Sequence, residues 1–226
     1  MTKCQIKTNN LSIKQWIAVF TAIFIFTTSS IASAAEKTLS DELRAKGAEA
    51  FVEKLTNKAL SSLTEKGLSD TKRQKRMRGI LKTNFDMKTI GRFSLGKHWR
   101  TASKNQKDEY LSLFENMVVK TYSMRFKDYG QQTFAVTGNT IVNKRDIIIH
   151  SKLTDNSQAE GSEAPAFFID WRIRYKKGAY RVIDLIVEGI SMGITQRSDF
   201  SAVIQKGGGN IESLLDTLRG HNNTKK

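Results

Sequence analysis

Gly189-Ile190-Ser191-Met192-Gly193 matches G-x-S-x-G, the elbow that presents a nucleophilic serine in many hydrolases. Asp199 or Asp216, followed by His221, even supplies the chain order serine, carboxylate, histidine. The elbow works only where a parallel sheet has strands before and after the nucleophile. Here the pattern after Ser191 is helical, the strands before it form a meander, and His221 lies in the polar end HNNTKK. The residues therefore predict a glycine pair that lets the chain turn from strand to helix, with Ser191 as a turn or capping residue.

The carboxylates give no acid–base pair either. Asp184 and Glu188 stand four apart on a predicted strand, which separates them by about 13 Å at roughly 3.3 Å per residue. Glycosidases need about 5–9.5 Å. Asp170, Arg172 and Arg174 share one face of the preceding strand, and Arg197 can reach back toward Glu188. These residues, with Asp184, are expected to form structural ion pairs. His98, His150 and His221 are scattered, and Cys4 is the sole cysteine, so no metal set is predicted. No phosphate-binding G-x-x-x-x-G-K-[ST] occurs, since Gly207-Gly208-Gly209 sits between helices. The expectation is a protein with no catalytic residues, no metal and no cofactor.

The elements that position these residues begin after a leader. Lys3, Lys7 and Lys14 flank and precede the apolar run Trp16 to Phe26, and Ala32-Ser33-Ala34 has the A-x-A form of a cleavage site. Residues 1–34 are expected to be a signal peptide, 35–220 a single domain, and 221–226 a disordered tail. Export without cysteine leaves stability to the core. The formal charge of +15 falls to about +12 without the leader's three lysines. The densest basic run, Lys72 to Arg78, lacks the context of a nucleic-acid reader and is expected to be a solvated helix face, with anionic headgroups as the alternative partner.

Helical spacing predicts helices over about 39–63, 71–85 and 86–96, then a long one opened by the capping box Ser103-Lys104-Asn105-Gln106 and closed by Gly130. The period then shifts to two. Four strands are predicted, at about 133–142, 146–154, 166–175 and 180–188, with a hairpin turn at Lys176-Lys177-Gly178 and a polar loop, TDNSQAEGSEAP, before the third. Helices return at about 197–206 and 210–220. Short links make the sheet antiparallel, and segregated helices make the class α+β.

Phe167, Ile169, Trp171, Ile173 and Tyr175 alternate on one face of the third strand. The fourth has Tyr180, Val182 and Ile186 on one face and Ile183, Leu185 and Val187 on the other. A strand apolar on both faces is expected to be covered on both. With Phe93, Trp99, Met117, Phe134, Val136, Ile147 and Ile149, these residues could line an apolar pocket or fill a core. Periodicity does not separate the two.

Several stretches resemble the MlaC family, also called the toluene-tolerance or Ttg family. One pattern falls on Phe85, Asp86, Ile90, Gly91, Leu95, Gly96, Trp99, Arg100, Ala102, Ser103, Gln106, Lys107 and Tyr110. A second falls on Asp170, Trp171, Ile173 and Arg174. A third falls on Val182, Asp184, Leu185, Val187, Glu188, Gly189, Ile190 and Ser191, and a fourth on Arg197, Ser198, Asp199, Phe200 and Val203. Gly193 is not part of the pattern, and Lys104 stands where proline is common. The resemblance implies a four-stranded twisted antiparallel sheet akin to NTF2-like folds, wrapped by helices around a deep pocket for acyl chains. It implies a periplasmic phospholipid carrier with bound phospholipid as cargo and no catalytic residues. Its implied partners are an inner-membrane ABC transporter with an MCE-domain ring and an outer-membrane lipoprotein–porin complex, acting to maintain outer-membrane lipid asymmetry. The expected lipid-binding residues are Phe93, Trp99, Met117, Phe134, Val136, Ile147, Ile149, Phe167, Ile169, Trp171, Ile173, Val182, Ile186 and Ile190. The alternatives are a carrier of another envelope lipid, such as a hopanoid, and an NTF2-like enzyme using Asp184 as base.

Overall fold

The structure is a computed structural model that describes residues 28–126, 132–155 and 166–224, with side chains from Ser40 onward. Most of the expected leader, Gly130 and the loop over 156–165 lie outside the described residues. The chain divides into two units, Met1–Arg44 and Ala45–Lys226. In the first, the described residues are the start of a long helix, where Arg44 pairs with Asp41 at 3.0 Å. Among the described residues, no helix is long and apolar enough to cross a membrane.

The helices are α1 (Thr28–Leu63), α2 (Asp70–Asn84), α3 (Met87–Leu95), α4 (His98–Thr101) and α5 (Lys104–Arg125). A sheet follows: β1 (Gln132–Ile141), β2 (Asp146–Asp155), β3 (Ala166–Lys176), β4 (Ala179–Val187) and β5 (Ile190–Ser191), then α6 (Met192–Lys206) and α7 (Glu212–Asn223). Side chains set the helix starts. Ser69 accepts the amide of Lys72, Asp86 accepts that of Thr89 at 2.9 Å, and Ser103 with Gln106 closes the capping box.

The sheet is antiparallel throughout, in the order β1-β2-β3-β4-β5. It has five strands, not the four expected. Glu188 (φ 50°) and Gly189 (φ 77°) take successive left-handed conformations, as a type I′ hairpin requires, and Ile190–Ser191 returns along β4. The segment expected to turn straight from strand to helix makes this short hairpin first. Lys177 and Gly178 form the same kind of turn between β3 and β4.

Two apolar clusters hold the second unit together. In one, α1, α2 and α5 cover one face of the sheet, with Val52, Leu55, Ile80, Leu81 and Val119 against Ile147, Ile149, Trp171, Ile173 and Val182. The other joins α3 to α7 without the sheet, around Leu95, Tyr110, Phe114, Phe200, Leu214 and Leu215. Rings of Tyr110, Phe114 and Phe200 pack there at 5.8–6.1 Å. The end of α7 departs from the expected tail. Residues 221–223 are helical, and Lys120 donates to the carbonyls of His221, at 2.7 Å, and Thr224. A cation among the last carbonyls of a helix is the favourable arrangement.

Candidate functional site: the inner face of the sheet

One irregularity decides which residues line the inner face. Arg172 pairs with Asp184 but Ile173 pairs with Val182, so Ile183 is an extra residue in β4. This bulge reverses the alternation that follows it. Tyr180, Val182, Leu185 and Val187 therefore share the inner face with Ile173, Trp171 and Ile169. Ile186, paired with Asp170, lies on the outer face. The expected faces of β4, with Ile186 beside Tyr180 and Val182 and with Leu185 and Val187 opposite them, are thereby corrected. A strict period of two cannot register one inserted residue.

Among the described residues, the inner face is fully covered at one end and less so at the other. Along β3, relative exposure rises from 0% at Ile173 through 9% at Trp171 to 50% at Phe167. Ile147 and Ile149 of β2 are buried, while Phe134 and Val136 of β1 and Ile169 of β3 are only partly so. Phe51 and Ala59 of α1 and Val118 and Tyr122 of α5 are likewise half-buried against the same cluster. An apolar face bounded by partly uncovered apolar side chains is suited to receive an apolar ligand.

Trp171 is held at the centre. Its indole N–H donates to Ser151 Oγ at 3.0 Å, and that hydroxyl donates to the Ile169 carbonyl at 2.6 Å. Phe134 meets the indole edge-on at 6.1 Å. Both polar atoms of this buried pair are thus satisfied, and the ring presents an apolar surface to the interior. Ser151 was not legible as a site residue, because a serine on an alternating strand reads as a solvent position.

The outer face is polar and pairs differently from expectation. Arg174 forms a two-point contact with buried Asp146, Nε to Oδ1 at 2.7 Å and Nη2 to Oδ2 at 2.8 Å, and Arg172 adds a third at 3.4 Å. Arg174's hydrogen bond, partly opposed by burial, holds the Asp146 carboxyl below the usual range. Asp170 bonds His150 rather than an arginine: Nδ1 lies 2.9 Å from Asp170 Oδ1, and Thr140 Oγ1 lies 2.9 Å from Nε2. Asp184, expected as an ion-pair member, instead accepts from Ser191 Oγ at 2.5 Å and from the Gly193 amide at 3.0 Å. Glu188 accepts the Phe168 amide at 2.6 Å, while Arg197 lies over the Phe93 ring at 5.7 Å. The expected Glu188–Arg197 pair is replaced by these contacts, because the hairpin turns Glu188 toward β3.

Ser191 is the N-cap of α6, accepting the Ile194 amide at 3.1 Å while donating to Asp184. Its hydroxyl is thus used on both sides by groups that fix the start of a helix. Gly193 is a close approach: a Cβ there would lie 3.1 Å from both Asp184 Oδ1 and Phe93 Cδ1. Phe93, 42% exposed, covers this corner outside the sheet interior. Trp99 and Met117 border the second cluster. Ile190, 59% exposed, sits at the tip of the β4–β5 hairpin. Spacing showed that these four are apolar, but not which neighbours they would meet. Among the described residues, no group of three or more potential metal ligands occurs.

The family model for MlaC protein matches residues 53–220. The chain belongs to the MlaC family. It is 19% identical over 224 residues to the intermembrane phospholipid transport system binding protein MlaC of Haemophilus influenzae, covering 93% of this chain and 94% of that protein. It also resembles the structure of a phospholipid-binding protein from Ralstonia solanacearum in complex with a phospholipid. The TM-score is 0.65 at 18% identity, over 77% of this chain and 96% of the other, which shows a shared fold.

The MlaC-family pattern read in the sequence falls partly on residues of the inner face, such as Trp171, Ile173 and Val182, and partly on the second cluster, such as Leu95, Tyr110 and Phe200. Phe85 and Asp86 tie the end of α2 to β4, where the Asp86 amide donates to the Val182 carbonyl at 3.0 Å. Gly91 lets α3 approach Leu111 and Phe114, and its carbonyl accepts from the buried Tyr110 hydroxyl at 2.9 Å. Burial pushes that phenol's ionisation far upward. Gly96 leaves room for the Arg197 side chain.

Proposed function

We propose that this chain is a periplasmic phospholipid carrier that holds acyl chains against the inner face of its sheet. The observation that carries the reading is the apolar face running from closed Ile173, past Trp171, to half-open Phe167. Burying acyl chains there gains about 0.8 kcal/mol per methylene, so a dozen methylenes supply roughly 10 kcal/mol before the cost of ordering the chains. No covalent chemistry is needed. Membership of the MlaC family and the likeness to a phospholipid transport system binding protein and to a phospholipid-bound structure support the same cargo.

In this reading residues 1–34 are an export signal, the sheet and helices form an NTF2-like cone, and the basic surface aids docking on acidic partner faces. The carrier would move lipid between an outer-membrane lipoprotein–porin complex and an inner-membrane MCE-domain transporter, maintaining lipid asymmetry. Lipid extraction and native mass spectrometry of the protein purified from its own envelope test the cargo. Two-chain glycerophospholipid at one lipid per chain is the expected result. A polycyclic lipid such as a hopanoid would replace the cargo assignment, and a protein that neither retains nor takes up lipid would overturn it.

A further inference from the structure

The basic run from Lys72 to Arg78 is not one solvated helix face. Arg78 reaches α5, donating to Glu115 Oε1 and Asn116 Oδ1 at 2.8 Å each. Arg76 turns back to the end of α1, bonding the Ser62 carbonyl at 2.7 Å and the Glu65 carboxylate. Arg73 goes inward. It lies on the same stripe of α2 as Met77, Ile80 and Leu81, the three α2 residues of the cluster that covers the inner face of the sheet. It is 5% exposed.

That guanidinium is under-partnered. Nη2 donates to the Leu68 carbonyl at 3.1 Å. Nε and Nη1 are buried with no acceptor among the described residues. A guanidinium has five N–H donors and stays charged, and burying it against carbonyl oxygen alone leaves the charge uncompensated. Thr56 stands one turn beyond Val52 on α1, and its buried hydroxyl also meets no partner among the described residues. Thr56 on α1 and Arg73 on α2 thus each present a buried polar group with no partner for it among the described residues. What the two helices bring to the cluster is apolar.

We infer that Arg73 is an anion-binding site for the phosphodiester of the bound lipid, with the Thr56 hydroxyl of α1 a further candidate donor. A planar guanidinium fork matches two phosphate oxygens. A phosphodiester carries the negative charge the site lacks, and the acyl chains of the same molecule occupy the apolar face. The inference rests on the phospholipid-carrier reading and sharpens it: the interior would select lipids that carry phosphate over neutral lipids with the same chains.

The test compares two probes with identical acyl chains, dioleoyl phosphatidylglycerol and dioleoylglycerol, binding to delipidated full-length protein. Wild type should prefer the phospholipid by at least tenfold. Arg73→Met should bring that preference within about twofold while leaving dioleoylglycerol affinity unchanged, and the delipidated variant should melt no lower than wild type, because an uncompensated buried charge has been removed. Arg73→Lys, which keeps the charge without the fork, should keep part of the preference and serves if the methionine variant fails to fold. Glycerophosphate without chains should not compete at concentrations that saturate the lipid, whereas strong competition would mark a site for free phosphate esters and overturn the assignment to cargo. An unchanged preference in Arg73→Met, or equal loss of both probes, would leave Arg73 a structural residue while the carrier reading stands. Wild type that binds neither probe would remove both.

Discussion

Replacing Ser191 with alanine separates a helix cap from a nucleophile. Two contacts disappear: the acceptor for the Ile194 amide at 3.1 Å and the donor to Asp184 at 2.5 Å. Loss of an N-cap oxygen costs about 1 kcal/mol. A hydrogen bond to a charged group contributes about 1.5–3 kcal/mol, and the lower end applies because Asp184 is half-buried and keeps the Gly193 amide. The two losses share one corner and are not fully additive, so the expected cost is about 2 kcal/mol. In a domain of this size that lowers the melting temperature by roughly 4–8 °C. Thermal denaturation followed by far-ultraviolet circular dichroism reads the shift, and phospholipid loading of the folded variant should equal wild type. Ser191→Asp sharpens the argument. Aspartate is as good an N-cap as serine, but here it would face the Asp184 carboxylate, so it should be less stable than the alanine variant. A melting temperature within 1 °C of wild type for Ser191→Ala, or an aspartate variant more stable than wild type, would refute this account of the corner. Covalent labelling of Ser191 by a fluorophosphonate would show that the serine is a nucleophile after all.

Other consequences concern the outer face and the helix ends. Asp146→Asn should destabilise the protein by about 2–3 kcal/mol in chemical denaturation, since it leaves Arg174 with its two-point partner neutralised. Because the folded state lowers the pKa of Asp146, its contribution is present above the ordinary aspartate range near pH 4 and is lost as pH falls through the lower folded value. The gap in stability between wild type and Asp146→Asn should therefore narrow as pH falls below the ordinary aspartate range, and a gap that does not narrow there would contradict this. Lys120→Met should raise amide exchange in the last turn of α7 without altering the sheet, because the ammonium is removed from the terminal carbonyls.

The inner face was legible where a strand keeps its period. Ile147 and Ile149 of β2 and Trp171 and Ile173 of β3 were expected together and lie in one cluster. It stopped being legible at Ile183, because a bulge is a matter of register between strands and leaves no mark in the alternation of one strand. Caps were legible for the same reason that strands were. Ser103 and Gln106 act within one turn of each other, so their spacing is their mechanism. Partners far along the chain were not. Nothing near Asp146 names Arg174 as its partner, and nothing near His221 names Lys120, which lies 101 residues away. Arg73 was hidden inside a run of like charges, where a helical wheel without a known core gives no direction.

The account rests on acyl chains lying against Trp171, and the indole itself can report it. With Trp16 and Trp99 changed to phenylalanine, Trp171 becomes the only tryptophan in a chain that has three. Loading this variant with phospholipid brominated along its acyl chains should quench most of its fluorescence relative to the unbrominated lipid. The matching variant that retains only Trp99, which borders the other cluster, should be quenched little. Equal quenching of the two, or none at Trp171 with lipid bound, would contradict the placement of the cargo on the inner face of the sheet.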